Sequence, residues 1–356
     1  MDSILKNIKK VSGNKFAFSL EDKHNPYIVE KYVDTGCYVL NAVVGNGDIY
    51  SGLPMGKRIT IAGPTSTAKS FFAAHMIKSY LNELENSYVI FFESEGSTIS
   101  EMATNLEIPE DRMIILPVMT VEEFKIQSVA ILDDILEKQQ KDKEGTPNFL
   151  LCLDSIGMLA SEKETKDAKD GKNTVDMTRS KAVKSVFRLI TMKLSLSKIS
   201  LITIAHTYQT MEMFSRAVVS GGTGLNYASD VILILSKAKQ KEGTEHIGAN
   251  ITCNVEKSRY IPEGQKVKVQ ILFKKGMSKF SSLVDMAQEF GILKKEGISY
   301  LLPDGTKQKM KEVKRNPEKY VPQFLDSIQE MIINKYSFGS NETEVEIDDL
   351  IEEEEK

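Results

Sequence analysis

The sequence predicts an α/β fold, a mostly parallel, twisted sheet flanked by helices with an antiparallel extension at one side. Three observations carry this expectation. From Arg58 onward, short apolar runs alternate with helix-length stretches, the texture of strands joined by crossover helices. The runs are continuously apolar rather than alternating, which suits strands buried on both faces. After Gly243 the texture changes to short alternating segments, which suit antiparallel strands.

The residues up to about Asp48 carry one short amphipathic segment, 4–11, then polar residues and Pro26, with no long periodic pattern, and are expected to form a small N-terminal appendage. Strands are expected at 58–62, 87–92, 113–116, 149–153, 200–205 and 231–236, with crossover helices at 70–85, 121–139 and 175–196. Segments 251–256 and 266–273 supply the antiparallel extension. A helix at 281–290 ends at Gly291, because glycine readily takes the left-handed conformation that closes a helix. A turn at Pro303-Asp304-Gly305, a short helix near 321–335 and an acidic tail complete the chain. No internal repeat of fixed period is present.

A chain of 356 residues can bury one large core and carry smaller appendages. With 41% apolar and 27% charged residues it falls among ordinary soluble globular proteins, not disordered ones. The opening MDSILKNIKK contains no apolar run long enough for a signal peptide, and no stretch reaches 18 apolar residues, so an intracellular protein without membrane contact is expected. Cys37, Cys152 and Cys253 lie far apart, without the spacing of a zinc site or a disulfide framework, and are expected as buried free thiols. The net charge of −4 argues against a surface coated with positive charge. The charge is uneven: residues 342–356 hold nine acids and one lysine, so residues 1–341 carry +4, and residues 257–279 hold seven basic residues against one acid. The acidic tail is expected to be disordered.

Residues 63–70 read GPTSTAKS, directly after the strand RITIA and directly before an apolar helix. That context makes Gly63, Pro64, Thr65, Ser66, Thr67, Ala68, Lys69 and Ser70 a phosphate-cradling loop, since its backbone N–H groups and the helix N-terminus favour an anion. ATP with Mg2+ is the expected ligand, Lys69 reaching the β and γ phosphates and Ser70 the metal. The usual pattern has glycine before the lysine. Ala68 replaces it, acceptable if that residue is already helical with negative φ. The apolar strand FLLCLD ends in Asp154, placed to hold magnesium through its water shell at the carboxyl edge of a parallel strand. The strand YVIFF ends in Glu93-Ser94-Glu95, and either glutamate is placed to orient an attacking water; spacing does not choose between them. A further strand leads into His206, a polar group near the γ phosphate that can report on it to the following loop.

With these strand ends in order, the chain resembles the RecA-like recombinases and, among them, the UvsX-type recombinases of phages. The resemblance rests on GPTSTAKS, YVIFFESEG, FLLCLDSIGMLAS followed by EKETKDA, VDMTRSKAVKSVFRLIT, IAHTYQTMEMFSRAVVSGGTG, NVEKSR and LVDMAQEFGIL. It spans residues from about Asp34 to Phe290, and the phage members are similarly relaxed at the position of Ala68. It implies a RecA-like ATPase core over 35–290, an N-terminal oligomerisation segment over 1–34, a small C-terminal region over 291–341 and the tail over 342–356. It implies that Glu95, not Glu93, activates water and that His206 is the γ-phosphate sensor. Lys257 and Arg259 match a pair that reaches a neighbouring subunit's ATP.

Two DNA-facing loops follow from the same resemblance. Residues 161–175 match the first, where Lys163, Lys166, Lys169 and Lys172 are balanced by acids. Residues 206–222 match the second, in which Arg216 would meet phosphates, Met213 and Phe214 would insert between bases, and Gly221 and Gly222 would approach the strand. The implied activity is a DNA-dependent ATPase that forms a homo-oligomeric helical filament on single-stranded DNA and exchanges strands with double-stranded DNA. Mediator or loader proteins and single-strand-binding proteins are the implied accessory partners, and a bacterial host cytoplasm the implied setting. A ring-forming helicase-like motor and a recombination mediator share parts of this pattern and are the competing expectations.

Overall fold

The strand RITIAG lies at the middle of the large sheet, with every residue buried. A computed structural model describes residues 2–20, 25–96, 99–142, 144–172, 178–209, 217–242, 245–273 and 275–336. The chain opens with α1 (Asp2–Ser12), whose Ile4, Ile8 and Val11, spaced along one helical face, are exposed. The segment after it is tied to the core by lysines: Lys57 Nζ donates to Tyr27 O (3.0 Å), and Lys198 Nζ to Asn25 O (3.0 Å) and Ile28 O (2.7 Å). β1 (Tyr32–Val33) pairs antiparallel with β2 (Leu53–Pro54), and α2 (Tyr38–Val44) lies between them in sequence. The stretch up to Asp48 is therefore not an appendage throughout: α2 is one short helix, too short to show a period, whose Val39, Leu40, Ala42, Val43 and Val44 belong to the main core, and whose buried Asn41 is satisfied by Ile49 O and Asp34 Oδ1.

The central part runs β3 (Arg58–Gly63), α3 (Lys69–Glu83), β4 (Ser87–Glu93), α4 (Ile99–Asn105), β5 (Met113–Pro117), α5 (Val121–Lys141) and β6 (Asn148–Asp154). It continues through α6 (Glu162–Lys169), α7 (Thr178–Leu196), β7 (Ser200–Gln209), β8 (Ala217–Val219), α8 (Gly222–Ala228) and β9 (Val231–Glu242). Then come β10 (Glu245–Ser258), β11 (Lys266–Leu272), β12 (Gly276–Met277) and α9 (Leu283–Glu289). Among the described residues these strands form a ten-stranded sheet in the order β12-β11-β10-β9-β3-β7-β6-β4-β5, with β8 paired to β7. β9, β3, β7, β6, β4 and β5 run parallel, and β10, β11 and β12 extend them antiparallel, as the change of texture after Gly243 predicts.

One face of the sheet packs against α2, α3 and α9 through Leu40, Phe72 and Tyr80, and the other against α5 and α7 through Phe124, Phe187 and Ile190. The C-terminal part, β13 (Lys294–Glu296), β14 (Ser299–Leu301), β15 (Lys307–Lys309), α10 (Met310–Arg315), α11 (Pro317–Tyr320) and α12 (Leu325–Tyr336), joins the first core through Tyr300, Val313, Tyr320 and Tyr336. The expected helix near 321–335 is interrupted. A 3-10 turn at Val321–Gln323, containing Pro322 with no N–H to donate, precedes α12. Cys37, Cys152 and Cys253 are buried free thiols. Among the described residues no helix is long and apolar enough to cross a membrane.

Candidate nucleotide site

The carboxyl ends of β3, β4, β6 and β7 lie side by side, and each delivers one part of the site. Gly63 ends β3 and is in register with His206 on β7, while Glu93 ends β4 in register with Asp154 on β6. Between β3 and α3 runs the GPTSTAKS loop. A Cβ on Gly63 would lie 2.7 Å from Thr67 Oγ1 and 2.8 Å from Leu235 O, so only glycine fits at the start of the loop. Thr67 Oγ1 and Lys69 Nζ both donate to Pro64 O, at 2.8 and 2.9 Å, folding the loop back on itself. Pro64, Thr65 and Ser66 are exposed. Burial pulls the Lys69 ammonium below the ordinary lysine value, against the charges of Glu95 and Asp154.

Ala68 corrects one expectation. It is not helical: its φ is +68°, and it stands just ahead of α3 as the residue before the first turn. Ser66 has φ +64° as well. These two left-handed residues turn the loop within a short span, and alanine accepts that conformation here at a cost.

Ser70 Oγ donates to Asp154 Oδ2 (2.7 Å). Asp154 is 1% exposed, and its Oδ1 is buried without a hydrogen-bond partner. Burial pushes this carboxyl up to about 6; the Ser70 bond pulls it down and the charge of Glu95 pushes it up further. A hydroxyl and a carboxylate with one oxygen unsatisfied fit a hard divalent cation that takes its remaining ligands from water and phosphate. Among the described residues no group of three or more His, Cys, Asp or Glu side chains is arranged to hold a metal.

The two glutamates after β4 do different things. Glu93 turns back on its own chain, accepting from Glu95 N (2.9 Å) and Gly96 N (3.0 Å). Glu95 points across the site, where its Oε1 accepts from Ser155 Oγ (2.6 Å) and lies 3.0 Å from His206 Nε2. Burial works to raise the Glu95 carboxyl, but the Ser155 and His206 bonds, with the charges of His206 and Lys69, outweigh it and hold the group below the ordinary value. Sequence reasoning missed Ser155 and Ser94. Ser155 is wholly buried, and Ser94 Oγ donates to Ser155 O (2.8 Å) and accepts from Ser155 N (2.8 Å), fastening β4 to β6. The signal was present: each serine directly follows a carboxylate that ends an apolar strand.

His206 sits where β7 leaves the core. Its N–H donates to Ser220 Oγ (3.0 Å) and its carbonyl accepts from Ser220 N (2.7 Å). The strand expected to stop at residue 205 continues to Gln209 and pairs with β8, so the second loop is a hairpin with a β stem. Met213, Phe214 and Arg216 lie at 210–216, outside the described residues. Gly221 has φ +106°, and a Cβ there would lie 3.0 Å from Leu225 and 3.5 Å from Ile156; this glycine shapes the turn into α8. Gly222 has open space around it.

A family model described as the RecA N-terminal domain matches residues 1–278. The chain belongs to the RecA family. It is 37% identical over 250 residues to the recombination and repair protein of Enterobacteria phage T4, which covers 70% of this chain and 62% of that protein. The matched part therefore spans less than two thirds of the phage relative's length. Protein RecA of Streptomyces venezuelae is 25% identical over 342 residues, 95% of this chain and 85% of that protein. Protein RecA of Tropheryma whipplei is 26% identical over 348 residues, 96% of this chain and 74% of that protein. Membership of the RecA family carries nucleotide binding with it, and the large mixed sheet flanked by helices is a RecA core.

Two more of the RecA-like positions lie elsewhere. Lys257 is paired with Ile232, which is level with Thr60 on β3, about 10 Å along the strand from Gly63. Arg259 lies beyond it, at the amino end of the parallel strands: its N–H donates to Asp230 O, and its Nε is 3.4 Å from Asp230 Oδ1. Asp230 is itself buried against Arg58 (2.7 Å). Lys257 Nζ donates to Asn226 O (2.6 Å). Burial and the charge of Arg259 pull the Lys257 ammonium down, against Asp230. Arg259 thus lies at the opposite end of the sheet from the phosphate loop, with Lys257 on the same side of it, level with the middle of β3. The segment read as the first loop is partly helical. Ser161 Oγ caps α6 by accepting from Glu164 N (3.0 Å), with acids in its first turn and lysines in its last. Val175 lies outside the described residues.

Proposed function

We propose that this chain is a DNA-dependent ATPase that assembles head to tail on single-stranded DNA and catalyses homologous pairing and strand exchange with double-stranded DNA. One observation supports this reading best. The phosphate loop, Asp154, Glu95 and His206 converge at one end of the sheet, while Arg259 stands at the other and Lys257 between. Within the subunit the two side chains are turned to Asn226 and Asp230, away from the phosphate loop. A head-to-tail neighbour can receive them, and repetition of such a contact builds a helix because its rotation need not close.

In this reading Gly63 to Ser70 cradle the phosphates of ATP, with Lys69 on the β and γ phosphates, and Ser70 and Asp154 hold Mg2+, which supplies charge neutralisation when bound. Glu95 orients the attacking water, and Ser155 fixes its carboxylate. His206 answers to the γ phosphate and passes its state to the hairpin that begins beside it. Lys257 and Arg259 contact the neighbour's nucleotide. Met213 and Phe214 contribute stacking, Arg216 a phosphate contact, and Gly221 and Gly222 the close approach of backbone to DNA. The exposed apolar face of α1 belongs, with residues 1–34, to the contact between subunits; the core spans 35–290, the C-terminal region 291–341 and the acidic tail 342–356. The protein acts in the cytoplasm of a bacterial host, with loader and single-strand-binding proteins as partners.

The deciding experiment pairs ATP turnover, with and without single-stranded DNA, with electron microscopy in a non-hydrolysable ATP analogue. Stimulated turnover and open helical filaments are expected, and Lys69→Ala is expected to abolish hydrolysis. Closed hexamers would replace this reading with a ring motor. Hydrolysis without any strand-exchange product would replace it with a mediator.

A further inference from the structure

The chain around Arg259 is built to hold it. The pairing of β10 with β9 shifts register between Val255 and Lys257, and such a bulge re-aims the side chains beyond it. Strand pairing ends with Ser258 opposite Val231. Ser258 Oγ accepts from Tyr260 N (3.1 Å) and Ile261 N (3.2 Å), so the chain turns immediately around Arg259. At the head of β9, Asp230 meets this turn twice: its carbonyl accepts from Arg259 N (3.1 Å), and its Oδ1 lies 3.4 Å from Arg259 Nε. Main chain and side chain of the arginine are tied to one residue.

Asp230 is itself fixed. It is 2% exposed, its Oδ2 accepts from Arg58 N (2.8 Å), its Oδ1 accepts from Arg58 Nη2 (2.7 Å), and its N–H donates to Arg58 O (2.8 Å). The other guanidinium nitrogens of Arg58 are bound inside the subunit, Nε to Ala228 O (2.9 Å) and Nη1 to Ser195 Oγ (2.8 Å). The two arginines on this carboxylate therefore differ. Arg58 is buried and bonded through all three nitrogens. Arg259 has a side chain 54% exposed and faces Asp230 with Nε, and among the described residues its Nη1 and Nη2 have no partner. A guanidinium gripped at Nε presents its two outer nitrogens as a fork, the geometry that suits a phosphate.

We infer that Asp230 is a positioning residue for hydrolysis in the adjacent subunit: clamped by Arg58, it holds Arg259 at Nε and aims the outer nitrogens away from its own chain. This rests on the reading of Arg259 as a contact to the neighbour's nucleotide. Asp230 touches no nucleotide; it acts through Arg259. A carboxylate needed only for folding is already neutralised and bonded by Arg58. Contact with a second, exposed arginine adds little stability, because solvent screens it.

The test uses Asp230→Asn in the full chain, whose amide oxygen can still accept from Arg58 N while the charge facing Arg259 is gone. ATP turnover on single-stranded DNA is expected to fall about tenfold or more, since an arginine on a transferring phosphate contributes strongly to the rate. In an equal mixture with Lys69→Ala, which keeps Asp230 and Arg259, turnover is expected to rise to about a quarter of the wild-type value, as intact phosphate loops of one variant meet well-aimed arginines of the other. Damage to the fold of Asp230→Asn would stay in its own subunit, and mixing would only dilute it. Wild-type turnover by Asp230→Asn overturns the proposal, as does a loss that mixing does not restore. If Asp230→Asn does not fold, Arg259→Lys decides at an exposed position. The ammonium keeps the charge but has no outer nitrogens beyond the one that Asp230 would hold, so turnover is expected to fall about fivefold or more, and wild-type turnover overturns the proposal. A mixture of Lys69→Ala with Arg259→Ala that stays inactive removes the contact between subunits, and the role of Asp230 falls with it. If that mixture recovers and the one with Asp230→Asn does not, the role of Asp230 fails alone.

Discussion

Ala68 holds φ +68°, a conformation that costs an alanine about 1–2 kcal/mol, while in the unfolded chain alanine has the advantage over glycine by about 0.4–1 kcal/mol. The first term is larger, so Ala68→Gly is expected to stabilise the protein by about 0.5–1 kcal/mol, and a lowered midpoint in thermal unfolding would contradict this. Ser155 invites a second substitution. Its hydroxyl is wholly buried and donates to the Glu95 carboxylate at 2.6 Å, a charge-assisted bond of the kind worth about 1.5–3 kcal/mol. Ser155→Ala is expected to lower kcat for ATP about tenfold with little change in KM, since the bond orients Glu95 and does not touch the phosphate loop; steady-state hydrolysis checks it. At this scale the sequence is informative where a motif sits at a strand end, as with Lys69, Ser70 and Asp154. It is uninformative where two like residues are neighbours. Glu93 and Glu95 follow the same strand, and only the path of the turn sends one carboxylate back to its own backbone and the other toward Ser155 and His206.

The helix that follows the phosphate loop carries a group the site does not use. His75 on α3 packs against the Phe71 ring at a centroid distance of 4.5 Å, and its Nε2 is buried without a hydrogen-bond partner. Burial, helped by the charge of Lys78, pulls its imidazole down to about 4, against about 6.5 in the unfolded chain. Between those values the unfolded chain holds a proton that the folded one does not. Stability is therefore full above about pH 6.5 and declines as pH falls toward 4, at up to about 1.4 kcal/mol per unit. His75→Asn is expected to remove about 1–2 kcal/mol of the difference between pH 7 and pH 5; denaturant unfolding at both values, compared with the wild type, measures it. The elements themselves were legible where their residues are apolar, whether buried as in β6 or half-exposed at the sheet edge as in β5. The run from Leu150 to Leu153 is apolar throughout because both faces are covered, so its residues announce the strand. The helix at Glu162–Lys169 did not announce itself, because its residues are all solvated and it depends on the Ser161 cap and on charges matched to its dipole. The continuation of β7 to Gln209 was hidden for a related reason: Thr207 is half-buried and Tyr208 and Gln209 are exposed, and all three pair with β8 through their backbone.

The order of the strands belongs to the whole molecule, and no local pattern encodes it. Placing β3 between β7 and β9 sets Gly63 beside His206, and the antiparallel return of β10 carries Lys257 and Arg259 toward the amino end of the same sheet. If ATP is completed across a subunit boundary, the two halves of each site come from different chains, and they can be spoiled separately. Lys69→Ala ruins only the half that holds the phosphates; Arg259→Ala ruins only the half offered to the neighbour. Each variant alone is expected to be inactive. In an equal mixture assembled at random, half of the phosphate loops are intact and half of the neighbours offer arginine, so about one interface in four is complete. ATP turnover on single-stranded DNA is therefore expected to return to about a quarter of the wild-type value on mixing. Arg259 also lies 3.4 Å from the buried Asp230, so its replacement could reduce activity simply by disturbing Arg58 and Asp230 within one chain. That damage would stay with its own subunit, whose phosphate loop is the only intact one in the mixture. Activity restored by mixing thus identifies a contact between chains, and a mixture as inactive as its parts would return Arg259 to a structural role.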